Sequence, residues 1–597
     1  MSSLSTFGLF TTARLGIYAS QKALEVVGNN ITNVNTSGYT RQSLDQSSLY
    51  LGGADRYQSS LDVRIGSGAL VTGVSQFRDP YLDIRYRNEQ SSVGAMDAKL
   101  SGLEQLSSIL DEVGMGDDGE GVVEAQLNDL IEQIENLVTE GAGSDEYDTL
   151  VRSSASSLVS LFNTYADKLS TLMENQTESF RQDLDTVNSI LTSIRDLNSS
   201  IRKSEIHGGD ALELKDQRNQ LIDQLSGYVR IDVTYGQEDL GSGLTVEKLV
   251  IKLAGNDSAS STKNATLIDG VFATQLSIAQ VETGTDGDGN PILEDSSNFD
   301  LVLSELTNAN DQVPDGSVAL ALSDNDLYGS LQAVRELLTE KGEYASADDL
   351  AADSNAAIKR GIPYYQNALD ALANKFSTVL NEANTLAPDV IYETNGTGDF
   401  LDADGNITTD PSEYTLKSEY AYYDGGVLFS NSGNGNETDE ITASNISIAK
   451  SWADGSVKLL QSKQAQEQEQ STDNSNLVHI LYLMTADQDY APGDLPAGED
   501  APTADTPFYT GSFQGMLTNI SSVLANDTKT TTAMLENYSA SADELYVDRD
   551  AVSGVDLNDE AMGMMQYQKS YSAACRLMTT VDEMLDKLIN GTGRVGL

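Results

Sequence analysis

Apolar and small side chains recur at alternating spacings of three and four along much of this chain. Near its start, Phe10, Ala13, Ile17, Ser20, Leu24, Val27, Ile31 and Val34 follow that rule. The spacing lays a heptad seam along one side of a helix roughly 37 Å long. The run closes in Gly28-Asn-Asn-Ile-Thr-Asn-Val-Asn-Thr-Ser-Gly-Tyr-Thr-Arg-Gln42. Asparagine amides compete with the helix ladder and Gly38 permits a turn, so the helix is expected to stop here. Asn29 and Asn33 share a helix face, and Asn30 and Asn33 are three apart. Neutral amides on such a seam are expected to fix register rather than add stability.

A matching seam lies at the far end, where Leu557, Glu560, Met564, Tyr567, Tyr571, Ala574, Met578, Val581, Leu585 and Leu588 repeat the alternation. Both terminal helices are one-sided and need a partner. Periodicity alone allows two readings, a pairing of the two ends or two members of an ordinary bundle.

Between them the same spacing marks Val123–Leu127–Leu130–Ile134–Leu137, then Leu158–Phe162–Tyr165–Leu169–Leu172, then Leu184–Val187–Leu191–Ile194–Ile201 with Asn198 in the gap. Glycines at 114–121 and 141–143 break these runs. Long helices of this kind predict a rod-like bundle. A helix is also expected over 212–225, where Asp216 and Arg218 are too close in sequence to face each other and must pair elsewhere.

The texture then changes. Residues 229–324 hold short β-like runs such as Leu249-Val-Ile-Lys-Leu253 and Phe299-Asp-Leu-Val-Leu303, punctuated by Asn, Asp and Gly. Helix is predicted again over 329–335 and 363–384, the latter carrying Leu369, Leu372, Phe376 and Val379. A second β-like, turn-rich stretch covers 386–439, helix returns in patches from Ile441, and a Pro/Gly/Asp linker at 491–507 precedes helix at 521–546. Short strands are also expected around a Gly66/Gly68 turn.

The predicted fold is mainly α with β-rich insert domains: terminal helices forming a coiled coil, a long helical bundle rod and outer β domains. The division is 1–60 with 550–597 as the terminal coiled coil. The rod takes 61–230 with 325–385 and 440–549, and the β-rich inserts are 231–324 and 386–439. A chain that leaves and re-enters its bundle this way puts the inserts at one end and both termini at the other.

Charge narrows the partners. Thirty-six basic against 92 acidic residues leave a net charge of −56 over 597 residues. Nucleic acid and anionic membrane both reward Lys and Arg, so neither is an expected partner. In dilute solution this charge also opposes the crowding that supplies neighbours, so the one-sided terminal helices are expected to order on assembly. The single cysteine, Cys575, permits no intramolecular disulfide and reads as a small packing residue. The first residues lack a basic n-region and a long apolar core, and no run approaches the ~18 apolar residues of a membrane span.

Catalytic chemistry is sparse. The two histidines, His207 and His479, make no HExxH motif, and no phosphate-binding glycine loop is present. Asp402, Asp404, Asn406, Asp410 and Glu413 occupy positions one, three, five, nine and twelve of a calcium loop. Ile407 stands where that loop needs glycine, and Asp402-Ala-Asp-Gly-Asn406 reads equally as a hairpin turn. The shorter match at 286–290 is spoiled by Pro291 and Ser297 and reads as a turn. No cofactor and no enzymatic activity are expected.

The run 28–42 resembles the asparagine-rich signature shared by bacterial flagellar rod, hook and hook-associated proteins. Val552-Ser-Gly-Val-Asp-Leu-Asn-Asp-Glu-Ala561, followed by Gln566-Tyr-Gln-Lys-Ser-Tyr571, is similar to the C-terminal signature of the FlgK family of hook-associated proteins. The Asp-Gln-Arg stretch within 212–225 resembles an internal segment of the same family. The resemblance covers both ends and parts of the helical middle, but neither β insert.

It implies a structural subunit at the junction between hook and filament, needed for filament attachment and motility. Implied partners are copies of the chain in a ring, hook protein on one side and the second junction protein on the other, and a cytoplasmic export chaperone on the C-terminal helix. The implied location is the extracellular flagellum, reached by type III export without a cleaved signal. Subunit assembly is expected to use Phe10, Ile17, Leu24, Val27, Asn29, Asn30, Ile31, Asn33, Asn35, Gly38 and Tyr39 with Tyr567, Tyr571, Met578, Val581, Leu585 and Leu588. Two alternatives stay open, another axial flagellar protein (hook or second junction protein) and an acidic calcium-binding surface adhesin.

Overall fold

The computed structural model describes residues 6–49, 68–110, 121–140, 145–241, 243–254, 265–285, 291–322, 327–395, 397–410, 413–432, 435–465, 473–495 and 506–591. The expected breaks at 114–120 and 141–143, the turn at 286–290, Gly66, and most of the linker at 491–507 lie outside them.

The long helices are α1 (Thr6–Thr32), α2 (Pro80–Leu110), α3 (Val122–Glu140), α4 (Asp145–Ile206) and α5 (Leu212–Tyr228). After an insert come α6 (Gly329–Thr339), the short α7 (Ala347–Ala352), α8 (Ile362–Asn384) and the one-turn α9 (Pro388–Ile391) and α10 (Lys450–Ala453). The chain ends through α11 (Ser475–Thr485), α12 (Phe513–Ser553) and α13 (Leu557–Gly591).

Helix α4 is the spine. Its 62 residues give a rod about 93 Å long. Val151, Ala155, Leu158, Phe162, Tyr165, Leu169 and Leu172 keep the three–four rhythm, and Phe180, Leu184, Val187, Leu191, Ile194 and Ile201 continue it. Two separate cores hang on that one stripe. The first joins α4's N-terminal half to α2, α3, α8, α11 and α12 around Phe376, Phe429, Trp452 and Phe513. The second joins its C-terminal half to α5, α6 and the insert sheet through Leu191, Ile222, Leu249, Ile251, Leu267 and Leu331.

Buried polar groups on the stripe are hydrogen-bonded. Gln176 donates to Gln105 Oε1 at 3.0 Å. Asn198 donates to the Gly270 carbonyl at 2.7 Å and accepts from Arg218 Nη1 at 3.0 Å. All three bonds reach other elements, so these amides set the register of the spine against its neighbours.

The insert following α5 is β-rich as expected. Strands β3 (Ile231–Asp239), β4 (Thr245–Leu253), β5 (Thr266–Asp269) and β6 (Phe272–Ala273) form one antiparallel sheet in sequence order. Strands β7 (Leu276–Ile278), β10 (Leu301–Leu303) and β11 (Leu320–Ala321) make a second sheet, and β8 (Gln280–Thr285) with β9 (Pro291–Asp295) make a hairpin. Earlier in the chain, β1 (Gln42–Ser48) and β2 (Ala69–Gln76) pair antiparallel between α1 and α2.

The second expected β insert differs. Within the described part of 386–439 the regular strand is β12 (Phe429–Ser430), paired with β13 (Ser447–Ile448). The remainder is turns tied by the isolated bridges Tyr392–Leu416, Thr394–Phe400 and Leu401–Ile407. Its density of Asn, Asp and Gly lets side chains satisfy the backbone locally, as when Asn395 Oδ1 accepts from the amides of Thr397 and Asp399. A stacked Phe400–Tyr414 pair, 4.3 Å between centroids, packs the turns together. Strands β14 (Gln488–Tyr490) and β15 (Tyr509–Gly511) then lead into α12, which begins at Phe513 rather than near 521. Ser512 caps it, accepting from Gly515 N at 3.1 Å.

Candidate functional site: the terminal helix pair and its joint

Helices α1 and α13 pack against each other within one chain, so the pairing of the two ends is realised and the ordinary-bundle alternative is not. The buried line of α1 is Ala13, Ala19, Ser20, Ala23, Val27 and Asn30. Three of these sit on the expected seam. The larger Ile17, Leu24 and Ile31 are half-buried flanks, and Phe10 is exposed. Small residues win the centre because they allow closer approach, and a Cβ at Gly16 would stand 3.6 Å from the Ala574 Cβ. On α13 the inward side is Glu560, Gly563, Tyr567, Tyr571, Ala574, Met578, Val581 and Leu585. Met564 and Leu588, both placed on the seam by spacing, are exposed. Cys575 is half-buried beside that side.

The asparagines hold this chain to itself. Asn30, 1% exposed, donates Nδ2 to the Gln42 carbonyl at 2.9 Å, while its Oδ1 accepts from Gln42 N at 3.0 Å and Tyr39 Oη at 2.9 Å. The helix end is thereby stitched to the start of β1. Asn33 Nδ2 donates back to the carbonyl and Oδ1 of Asn29, both at 3.0 Å. These amides thus spend their hydrogen bonds within the subunit. Asn35 and Gly38 are exposed in the following loop, and Gly38 takes φ +76°, where a side chain is strained.

The loop docks on α5. Thr40 N donates to Asp216 Oδ2 at 3.1 Å, and Gln42 Nε2 donates to Glu213 Oε1 at 3.2 Å. Burial pushes the Asp216 carboxyl up from the usual range, against the opposing pull of the Thr40 bond. Burial likewise pushes the Tyr39 phenol up, with Asp216 and Glu213 adding to the shift. Arg218 faces away, toward Asn198 and Glu247.

Arg41 joins everything at this point. Its Nε donates to Glu560 Oε1 at 2.7 Å, and that glutamate is 3% exposed although it lies on α13. Glu560 on an otherwise apolar seam is the sequence signal for this partner. Arg41 itself sits inside the signature, and nothing local in the sequence marks its role.

The remaining candidates show other chemistry. Asp402 spends its carboxylate within its own turn, accepting from the amides of Asp404 at 2.9 Å and Asn406 at 2.7 Å. Those bonds hold its carboxyl below the usual range. Glu413 accepts from Thr408 Oγ1 at 2.8 Å. Among the described residues no three His, Cys, Asp or Glu side chains converge as a metal site. His207 Nδ1 lies 2.7 Å from the Lys203 carbonyl, and His479 is exposed on α11. Among the described residues no helix is long and apolar enough to cross a membrane.

Comparison with known proteins finds three family models in chain order. Residues 10–40 match the flagella basal body rod protein model, 107–400 the helical domain of flagellar hook-associated protein FlgK, and 550–591 the C-terminal model of the flagellar basal body rod FlgEFG proteins. The chain is 25% identical to flagellar hook-associated protein 1 of Bacillus subtilis over 99% of both chains. It is 22% identical to the Escherichia coli protein of that name, over 98% of this chain and 99% of the relative. The chain belongs to the FlgK family of flagellar hook-associated proteins.

A FlgK-family chain is a structural component of the bacterial flagellum with its place at the hook–filament junction. Relatives matched end to end are hook-associated protein 1, which favours this member of the axial class over the hook and second-junction alternatives. A solved FlgK from Burkholderia pseudomallei, described as a flagellar hook junction protein, is similar at a TM-score of 0.45 and 13% identity. It covers 79% of this chain and 100% of that one.

Proposed function

We propose that the α1/α13 pair is the element by which this subunit enters a ring of its own copies, with hook protein on one side and the second junction protein on the other. The observation that carries this is the outer surface of α13. Met562, Leu577, Met584 and Leu588 are 38–59% exposed and fall within one stripe about 80° wide at 100° per residue. The stripe lies about a quarter-turn round from the side that packs on α1, so a third helix can cover it without opening the pair. Apolar surface left open in this way marks an interaction site.

Charge supports the same reading. Residues 1–60 carry four basic and three acidic side chains, and residues 550–597 carry four and seven, a net of −2 for the terminal parts. The middle, 61–549, therefore carries −54 of the total −56. Copies of the near-neutral pair can approach closely, while the acidic rods repel unless they splay outward.

The exposed stripe of α13 is also what a cytoplasmic export chaperone would cover before the chain leaves by the type III route without a cleaved signal. The finished subunit is extracellular, and its role is structural rather than enzymatic. Replacing Leu577 and Met584 by Gln tests the reading. The variant is expected to be produced, to be exported at reduced yield because the chaperone loses part of its surface, to fail to decorate the hook–filament junction even where it is exported, and to leave cells non-motile. Normal junctions and swimming in the double variant overturn it.

A further inference from the structure

The polypeptide passes between the terminal unit and the rod twice, at 76–80 from β2 into α2 and at 553–557 from α12 into α13. Both crossings are bound to the same residue. The Arg41 carbonyl accepts from Phe77 N at 3.0 Å on the first crossing, and Arg41 N donates to the Ser553 carbonyl at 2.8 Å on the second. Its guanidinium lies over the Phe77 ring, 5.8 Å from the centroid, while Nε holds Glu560 just past the second crossing.

One ion network braces the rod side of both crossings. Arg78, on the first, binds Asp83 through two bonds of 2.5 and 3.1 Å. Arg549, one turn before the second, binds Asp223 of α5 at 2.6 Å and lies 3.6 Å from Asp83. The other Asp223 oxygen takes Arg87 Nε at 2.7 Å, and Arg87 is only 3% exposed. The Arg549 guanidinium also lies over two rings, Tyr86 at 4.3 Å and Tyr546 at 5.6 Å. Five charges thus join the first crossing, α2, α5 and the end of α12, with water largely excluded from the members at 3–19% exposure. Ion pairs screened from water are geometrically exacting, and losing one partner leaves a buried charge uncompensated.

We propose that Arg41 and Arg549 are positioning residues that hold the terminal helix pair at one fixed angle to the rod, making the two-strand crossing a stiff joint rather than a swivel. The two act on different parts: the Arg41 guanidinium ties Phe77 of the first crossing to Glu560 just past the second, and Arg549 clamps the second crossing to the rod. A polar cleft of about 560 Å³ lies between the 34–40 loop and the rod, with Arg78 and Arg549 in its wall. Packing across that cleft is therefore incomplete, and the angle depends on the polar contacts around it. The inference concerns the single chain and does not depend on what the terminal pair docks against.

Spin-label distances in the full-length subunit test it, with labels at Ser572 on α13 and Lys529 on α12 in a Cys575→Ala background. One narrow distance population is expected in this parent. Arg549→Met and Arg41→Met each broaden it, and amide exchange over 36–42 accelerates roughly 100-fold. Arg549→Lys restores part of the narrow population because it keeps a cation at the position that faces Asp223. Protection over Val123–Leu137 is unchanged throughout. A parent distribution already broad, or one unchanged in both Met variants, overturns the proposal. Loss of protection across the whole rod does so too, since Arg549 would then be a folding residue.

Discussion

Helices α4 and α13 share the same apolar rhythm and do opposite things with it. Nineteen of α4's 62 residues are buried, whereas α13 buries only Glu560 and Val581 out of 35. The rod has enough partners around its spine to close two cores. Among the described residues α13 has one helical partner, α1, and leaves much of its apolar surface exposed. A heptad seam therefore states that a helix has a wet side and a dry side, and the number of dry partners is set elsewhere. In this chain the number differs because the middle folds back on itself through two inserts, while among the described residues α13 has α1 as its main helical partner.

The sharpest way to break that comparison is to delete equal apolar volume in both regions. Leu158→Ala, at a fully buried position of the first core, is expected to cost about 2–5 kcal/mol in denaturant unfolding. Met584→Ala on the exposed stripe should leave unfolding of the free subunit unchanged. Equal losses would mean that α13 is already covered in the free chain.

A smaller effect is expected at the joint. Asn30→Leu adds apolar surface to the seam but leaves the Gln42 N–H and carbonyl and the Tyr39 hydroxyl without their partner. Unmet buried polar groups cost about 1–3 kcal/mol. Amide exchange over 28–42 should therefore speed up while the rod stays protected. A more stable variant would show that the amide serves a neighbour rather than its own chain.

A change of similar size, spread over a range of pH, concerns the rod's first core. Burial raises the Asp370 carboxyl from 3.8 to about 6, only partly opposed by the hydrogen bond it accepts from Ala443 N at 2.8 Å. A raised carboxyl favours the protonated native state. The stabilisation it brings is full below about pH 3.8 and is lost as pH rises through about 6. An Asn at this position still accepts the Ala443 bond without ionising. Relative to Asp370→Asn, the parent should lose up to about 3 kcal/mol between pH 4 and 7, read from unfolding midpoints across that range. Parallel pH profiles would show that Asp370 is hydrated.

The sequence by itself determined the helices of the spine, the one-sidedness of both ends and the position of the first insert. Each of these rests on local periodicity, which a single chain displays directly. It also marked Asn30 and Glu560 as polar residues on apolar seams, so part of the joint was legible as an anomaly. The line of closest approach on α1 was not, because spacing ranks Ile17 and Leu24 above Ala19 and Ala23, while close helix approach prefers the small residues. Nor was the turn-built character of 386–439, where Asx turns replaced strand pairing. The bonds from Arg549 to Asp223 and from Arg41 to Glu560 span 326 and 519 residues. An ion pair leaves no periodic trace, since any of 92 carboxylates is a nominal partner for any arginine. Only the tertiary structure chooses among them, because only the fold decides which two are brought together and shielded from water.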